Sequence, residues 1–562
     1  MSQAAPNTSA SIHSRRWPRG PALAAAAVVV VAVALRLIPG PQICDDAYIT
    51  FKYVRNLTSG LGFTYNPGER VLGTTTPLYT LLLSGLYLLL GRLGASIITV
   101  SWALNAALDG ASALLLIRLC RRLTGSRIVG LLCGGLWALS NVSIAVSISG
   151  METPLYLLLI LTTLLLFLSG RFLAAALACS VVVLTRPDGL LLAISLLGYL
   201  ALRERRRLLG PLSVGVAALV PWLAFALLYF GSPVATSVAA KNVVYRVPPG
   251  EAVRHFAHHW TTLIGLELHG VPAYIFALPL TGLWLWGLAL VSRRGRAAPA
   301  AIFPVLYLVA FAIANKPMFR WYFVPLEPFY LLGLGAALHS LAVEPRLAVH
   351  RVKRTTRRLA RALAVVALAA VMCAQLLSLN LLPDPDRPWL TPKRVSVARE
   401  TVYARVAEEI NRTFPVDQHT TIATPEIGAF GYHSRARILD TTGLVSPEAI
   451  GYYPIDPALC PGNYAIAPDL ILDLQPEMVI SLENFVRDGL LKDERFRASY
   501  TEAMSPYPTE AFGSRLLLLT FRRRDWPPGR RVASSLGDRH PGPQGLGTSP
   551  GRRASPAAGA VE

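Results

Sequence analysis

The sequence predicts a polytopic α-helical membrane protein with about eleven transmembrane helices and a C-terminal extracytoplasmic α/β domain. Hydrophobic residues make up 53% of the 562 positions and charged residues only 15%, whereas a soluble chain carries about 25% charged residues. Apolar runs recur along the first two thirds of the chain, with arginine clusters between them. From about residue 390 the composition becomes polar and rich in turn residues, which indicates a separate domain.

The predicted spans are apolar runs that approach the length needed to cross a hydrocarbon core of about 30 Å. Arginines precede the first run, and because cationic flanks stay in the cytoplasm, its far end is predicted to be extracytoplasmic. A further apolar run, 77–92, is predicted to lie along the outer surface, since every arginine cluster then faces the cytoplasm. The eleven spans lie near residues 22–38, 95–117, 128–149, 154–169, 171–185, 189–202, 208–230, 272–292, 298–314, 321–343 and 360–381.

This topology divides the chain into four parts. They are a cytoplasmic N-terminus (1–21), a transmembrane domain (22–385), an extracytoplasmic α/β domain (390–521) and a disordered tail (522–562). The tail is rich in Pro, Gly, Ser and Arg and cannot bury a core. The α/β domain is predicted from a helical apolar period over 395–413, and from strand-like runs at Thr420–Thr424, Arg437–Leu439 and Met478–Ser481.

The first outer loop opens on two adjacent acids, Asp45 and Asp46. An ionised carboxylate in hydrocarbon is penalised by about 2.5–3.5 kcal/mol, so both acids belong at the membrane surface. The residues that follow predict an interfacial helix on which Asp45, Tyr48, Lys52 and Arg55 share one face. Either acid could act as a base, and the two cations could hold a phosphate. The alternative is that the acids cap the helix and the cations reach lipid headgroups.

The other outer loops bring further ionisable and aromatic residues to the same side of the membrane. Charges at this depth usually mark a substrate path or a site. The alternatives are a local ion pair of Arg186 with Asp188, and an aromatic belt anchored by an arginine. The candidate residues are Glu152, Arg186, Asp188, Lys241, Arg320, Trp321 and Tyr322.

Several function classes are excluded or disfavoured. The net charge of +21 does not indicate nucleic-acid binding, because the arginines lie in short clusters between apolar runs. The six cysteines show no metal-ligand spacing. The sequence contains no Walker A, G-x-G-x-x-G or H-E-x-x-H motif, so nothing indicates nucleotide-driven chemistry or a zinc protease.

The outer loops resemble those of the integral-membrane GT-C glycosyltransferases, which use polyprenyl-phosphate sugars as donors. The resemblance rests on the block 45–57, DDAYITFKYVRNL, and on the segment 66–71, NPGERV. It is similar to the first-loop signature of actinobacterial terminal arabinofuranosyltransferases. The stretch 72–76, LGTTT, departs from those relatives, which usually carry a Glu and an Asn there.

The resemblance implies a bacterial plasma-membrane enzyme that transfers a sugar, a pentofuranose such as arabinofuranose among the candidates, to a cell-envelope glycan, lipid or protein. Asp45 or Asp46 would deprotonate the acceptor hydroxyl, which displaces polyprenyl phosphate from the anomeric carbon. Some family members bind a divalent cation near these acids, so Mg²⁺, Mn²⁺ or Ca²⁺ is a candidate cofactor. The implied donor-phosphate ligands are Lys52, Arg55, Arg186 and Arg320, and the implied substrate contacts are Tyr48, Glu152, Asp188, Lys241, Trp321 and Tyr322.

Three alternative functions stay open. One is a polymer ligase or polymerase acting on a lipid-linked glycan, and another is a non-catalytic assembly protein whose outer domain binds glycans. The third is a transporter of a lipid-linked sugar, which would place ionisable groups in mid-span and show paired repeats. The predicted spans are nearly free of charge and show no repeat, which favours the transferase.

Overall fold

The computed structural model describes residues 19–245, 247–263, 274–315, 318–343, 369–382, 388–393, 395–456, 465–511 and 514–528, and also residues 366 and 459. The predictions for most of the N-terminus, for much of the span 360–381 and for most of the tail fall outside these residues. Within them, the chain up to residue 343 is mostly helical, and a sheet follows in the C-terminal part.

The helices of the N-terminal part follow the predicted apolar runs. The run 128–149 forms two helices, because the chain bends by 53° at Ser140. The helices are α1 Arg19–Leu37, α2 Asp45–Thr58, α3 Pro77–Leu90, α4 Ile97–Thr124, α5 Arg127–Leu139, α6 Asn141–Ile148, α7 Thr153–Leu168, α8 Phe172–Thr185, α9 Leu190–Arg203, α10 Leu209–Phe230, α11 Thr236–Val243, α12 Glu251–Leu263, α13 Tyr274–Ser292, α14 Ala298–Ala314, α15 Arg320–Phe323 and α16 Glu327–Val343.

Among the described residues, four helical stretches are long and apolar enough to cross a membrane, and the bent pair α5–α6 makes five. Several others, including α7 and α8, are apolar but shorter. The protein is therefore a multi-helix membrane protein, while the count of eleven spans stays a prediction. The position of the run 77–92 also stays a prediction; α3 buries Tyr79 and Leu83 and exposes Leu88 and Leu89.

One pair of charges lies inside the helical part, contrary to the expectation that the spans are nearly free of charge. Arg36 of α1 is fully buried, and its Nε lies 2.7 Å from Oδ2 of Asp109 on α4. The same guanidinium donates to the Ala138 carbonyl and to Ser143 Oγ, on either side of the bend. The bend leaves α5 carbonyl groups without helical partners, and Arg36 satisfies one of them.

We expect Arg36→Met to destabilise the protein strongly, because it leaves the Asp109 carboxylate buried without its partner. Removing one partner of a buried ion pair lowers the free energy of unfolding by about 3–5 kcal/mol, whereas replacing both partners by apolar residues often leaves it unchanged. Arg36→Met combined with Asp109→Leu should therefore recover part of the loss. The measurement is the midpoint of thermal unfolding in detergent, and Arg118→Met, at an exposed position of α4, is the control. Equal midpoints for Arg36→Met and this control would contradict the structural role.

The C-terminal part forms an α/β domain with one mixed sheet. The three predicted strand-like runs form β1 Thr421–Thr424, β2 Arg437–Asp440 and β3 Met478–Leu482, and the structure pairs them as parallel neighbours. Three further strands are antiparallel: β4 Tyr500–Glu502, β5 Tyr507–Ala511 and β6 Ser514–Arg523. The sheet order is β2-β1-β3-β6-β4, with β5 also paired to β6. β6 extends two residues beyond the predicted end of the domain at 521.

Two helices of this domain position the candidate site. The helix α17, Ala398–Thr413, packs Tyr403, Val406 and Ile410 into the core, in agreement with the predicted period. The five-residue helix α18, Ala429–His433, follows β1 and packs against both α17 and α2. The first outer loop and the domain therefore meet at α18.

Candidate active site

Helix α2 begins where the sequence predicts, at Asp45. Cys44 precedes the helix in an extended conformation, and the two acids occupy its first turn, where negative charge is favourable. The segment before the helix is hydrogen-bonded to the end of α6. The Ile148 carbonyl accepts from the Gln42 N–H, and the Ser149 carbonyl accepts from the Cys44 N–H. The end of α6 thus sets the position of both acids.

The first acid, Asp45, is bound to the α/β domain. Its carboxylate accepts hydrogen bonds from the backbone N–H groups of Gly428 (2.9 Å) and Ala429 (2.8 Å) at the start of α18. Asp45 is only 6% exposed. Burial raises the pKa of Asp45 to about 6, although Arg399 and the Ala429 N–H oppose the shift. Both carboxylate oxygens are therefore occupied in a structural contact.

The second acid, Asp46, lies differently. It is half-buried and lines a cavity of about 430 Å³ between the first outer loop and the α/β domain. Within the described part of the chain, no group donates a hydrogen bond to its carboxylate. Cavities of about 300–1,000 Å³ are the usual size for small-molecule sites. Asp45 also lines this cavity, but both of its carboxylate oxygens are already hydrogen-bonded, so Asp46 is the acid whose carboxylate is open to a ligand.

The α/β domain supplies one wall of this cavity, and the sequence patterns do not predict the charged residues Arg399, Glu400, Glu510 and Arg515 on it. Arg399 of α17 pairs with Glu400 at 2.8 Å and with Glu426 at 3.2 Å. Burial raises the pKa of Glu426 to about 8, while Arg399 opposes the shift. Glu510 and Arg515, at either end of the β5–β6 turn, also line the cavity. This wall therefore presents both carboxylates and cations to a ligand.

The opposite wall contains the predicted residues Lys241, Arg320 and Trp321. Lys241 Nζ lies 5.8 Å from the centre of the Phe319 ring, and this ring stacks on Trp321. Burial alone would lower the pKa of Lys241, but Tyr322 and the Asp46 carboxylate raise it. Lys241 is therefore a cation beside Asp46, and Arg320 is a second cation in the same cavity.

Arg186, Asp188 and Glu152 form a buried ion cluster and do not line the cavity. Arg186 is 4% exposed and lies 3.1 Å from Glu152, and it binds Asp188 through two contacts of 3.0 Å. Its guanidinium also lies 5.0 Å from the Tyr322 ring centre. Two carboxylates therefore accompany Arg186 where a donor phosphate was predicted. The predicted phosphate role of Arg186 and the predicted substrate contacts of Glu152 and Asp188 stay predictions.

Lys52 and Arg55 do not line the cavity either. Lys52 Nζ donates to the Gly431 carbonyl and Arg55 donates to the Tyr432 carbonyl, each at 2.7 Å, at the C-terminal end of α18. Burial lowers the pKa of Lys52 to about 7. Tyr48 packs its ring on Tyr432, with 5.4 Å between centres.

The predicted common face of α2 is thus real, but its partner is the short helix α18. Asp45 binds the N-terminal end of α18, and Lys52 and Arg55 bind its C-terminal end, in the order that suits a helix dipole. Both cations are therefore engaged by α18 carbonyl groups, and their predicted role in phosphate binding stays a prediction.

The predicted divalent cation can be compared with the side chains around the two acids. Among the described residues, no group of three or more His, Cys, Asp or Glu side chains is arranged to hold one. Both oxygens of Asp45 accept backbone N–H groups instead. Asp45 is thus committed to α18, and a divalent cation at this site stays a prediction.

Comparisons with known proteins support the fold. Residues 394–533 match a family model described as a domain of unknown function, DUF8728. No curated protein matches the chain in sequence. The α/β domain is therefore a recurrent sequence unit whose role the match does not define.

Solved structures resemble almost the whole chain. The structure of ArnT from Cupriavidus metallidurans bound to undecaprenyl phosphate has a TM-score of 0.54 at 14% identity, covering 90% of this chain and 98% of that one. The Archaeoglobus fulgidus oligosaccharyltransferase in complex with Zn and sulfate has a TM-score of 0.52 at 12% identity, covering 88% and 72%. At these identities the similarity concerns the fold alone. The chain has the fold of the GT-C glycosyltransferases.

Proposed function

We propose that this chain is a membrane glycosyltransferase that takes a sugar from a polyprenyl-phosphate donor on the outer face of the bacterial plasma membrane. The observation that carries the proposal is the half-buried Asp46 carboxylate in the cavity beside Lys241 and Arg320. A base next to two cations, at a membrane boundary, suits a donor whose leaving group is a lipid phosphate. The GT-C fold is consistent with this chemistry.

In the proposed reaction an acceptor hydroxyl oxygen attacks the anomeric carbon of the donor sugar. The new C–O bond forms as the bond from that carbon to the phosphate oxygen breaks, and the electron pair leaves with polyprenyl phosphate. The hydroxyl proton passes to the Asp46 carboxylate. Arg320 and Lys241 stabilise the negative charge that develops on the departing phosphate. Asp45 holds α2 against α18 and takes no proton.

The substrates belong to broad classes. The donor sugar we propose is a pentofuranose such as arabinofuranose, in line with the first-loop block. The acceptor is a cell-envelope glycan, lipid or protein, and the polar wall with Arg399, Glu426 and Glu510 suits sugar hydroxyl groups. We therefore place the donor phosphate at the wall that contains Lys241 and Arg320, and the acceptor at the wall formed by the α/β domain.

Purified protein in detergent provides the direct test. It is incubated with synthetic polyprenyl-phosphate donors carrying arabinofuranose, mannose or glucose, together with a delipidated cell-envelope fraction as acceptor. The expected result is release of free polyprenyl phosphate with transfer of the sugar, and release about 10²–10⁴-fold slower from the Asp46→Asn variant. Transfer of a whole glycan from a lipid diphosphate would favour a ligase. Movement of an intact donor across a proteoliposome without bond cleavage would favour a transporter, and either result would contradict the proposal.

We expect Arg320→Lys to weaken donor use about tenfold or more, although the charge is kept. Arginine holds a phosphate through two parallel hydrogen bonds that lysine cannot reproduce, and a hydrogen bond to a charged group is worth about 1.5–3 kcal/mol. The measurement is the donor KM and kcat at saturating acceptor. Arg515→Lys, on the α/β wall, is the matched control and should leave the donor KM unchanged. The assignment fails if Arg320→Lys also leaves the donor KM unchanged.

A further inference from the structure

A second cavity lies within the helical part, far from the acids. It has a volume of about 190 Å³ and apolar walls from α8, α9 and α10. The floor is α8, which packs against both other helices. Ser180 Oγ of α8 donates to the Gly215 carbonyl of α10 at 2.9 Å, which fixes the approach of the two helices. The wall from Pro211 to Leu219 covers about 12 Å at 1.5 Å per residue.

The turn that joins the two walls is a cluster of arginines. Arg203 is the last residue of α9, and Arg205, Arg206 and Arg207 follow it before α10; all four are exposed. The guanidinium of Arg207 lies 5.5 Å, and that of Arg296 lies 5.0 Å, from the centre of the Phe172 ring, which lines the cavity. Glu204 accepts from Arg296 and pairs with Arg207. Glu204 thus pairs with two of these five arginines, and the turn carries a clear excess of positive charge.

This positive end lies on the membrane face opposite to the candidate active site. Helix α8 ends beside Arg186, and α9 returns from there over fourteen residues to Arg203, which is a distance of about 21 Å at 1.5 Å per residue. The positive-inside rule places the arginine turn in the cytoplasm. A donor whose phosphate is at Asp46 therefore cannot place that phosphate at this turn.

We propose that the cavity between α8, α9 and α10 binds one acyl chain of an anionic phospholipid of the inner leaflet, with its phosphate on the arginine turn 203–207. Basic pockets between membrane helices on the cytoplasmic side are suited to anionic headgroups. The positive charge of the turn suits the phosphate of such a lipid, and the apolar cavity beside Phe172 suits its acyl chain. The bound chain also covers part of α10, in which only Pro211 and Ala226 are buried. The proposal does not depend on the proposed transferase activity.

The test uses the full chain in detergent with dioleoyl phosphatidylglycerol or dioleoyl phosphatidylcholine. Native mass spectrometry reports the lipids retained, and the midpoint of thermal unfolding reports stabilisation. We expect phosphatidylglycerol alone to bind with a defined stoichiometry and to raise the midpoint. Arg206→Gln with Arg207→Gln should weaken its binding at least tenfold. Arg118→Gln with Arg293→Gln, two exposed arginines on the same face, is the charge-matched control and should change binding less than twofold.

A second variant tests the binding of the acyl chain separately from the binding of the lipid headgroup. Ala193→Phe fills the cavity from α9 while every arginine stays in place, and it should also weaken phosphatidylglycerol binding. Equal binding of the two lipids, or an equal loss in both arginine pairs, would mean a general surface effect and overturn the proposal. Retention of polyprenyl phosphate in place of phosphatidylglycerol, lost on Arg206→Gln with Arg207→Gln, would assign the cavity to the donor lipid and would also overturn it.

Discussion

Replacing Asp46 with Asn is expected to reduce sugar transfer by about 10²–10⁴-fold, the usual contribution of a general base. Asn keeps the shape of the side chain but cannot take the acceptor proton. Asp46 has no hydrogen-bond donor among the described residues and lines the cavity, so its loss should leave folding and donor binding nearly unchanged. The measurement is kcat together with donor affinity in detergent.

The matched control is Asp45→Asn, one residue away on the same helix. Its two oxygens accept from Gly428 and Ala429, and Asn would turn an amide nitrogen toward one of these donors. We expect a lower midpoint of thermal unfolding and faster hydrogen exchange at the start of α18. A result in which Asp45→Asn abolishes transfer at normal stability, while Asp46→Asn remains active, would exchange the roles that we assign to the two acids.

The sequence predicts the helical part well because each apolar run carries its own signal. The parallel strands β1 to β3 are also predicted, since each is a short apolar run bounded by turn residues. The antiparallel strands are missed for a local reason. β6 contains four consecutive leucines from Leu516 to Leu519, and such a run has no period that distinguishes a strand from a helix. Pro508 in β5 further weakens its strand signal.

The candidate site is predicted only in part, because the residues that meet there are far apart in the sequence. The common face of Asp45, Lys52 and Arg55 follows from helical spacing. A single sequence cannot reveal that this face meets α18, since 383 positions separate Asp45 from Gly428. Arg399 and Glu400 stand out in the sequence as adjacent charges at the start of α17. Their place in the site does not follow from this, because the end of α17 that faces the membrane depends on the docking of the whole domain.

This docking leads to the second large expected effect, at Gly428. A Cβ atom on Gly428 would lie 1.9 Å from the backbone oxygen of Asp45 and 2.5 Å from its Cγ. Backbone atoms cannot move away as a flexible side chain can, so Gly428→Ala must separate α18 from α2. Loss of this contact removes the bonds from Asp45 and displaces the wall with Arg399 and Glu426. We expect transfer to fall at least 100-fold.

Gly451→Ala is the control within the same domain, because a Cβ there would meet no atom within 4 Å. Limited proteolysis and the unfolding midpoint should distinguish a displaced domain from an unfolded one. In Gly428→Ala the helical part should remain folded in detergent while the α/β domain becomes more accessible to protease. Since the cavity exists only between the two parts, wild-type transfer by a variant with a displaced domain would mean that the reaction occurs elsewhere. In that case Asp46 would lose its role as the base, because the cavity that surrounds it would not be the place where the sugar is transferred.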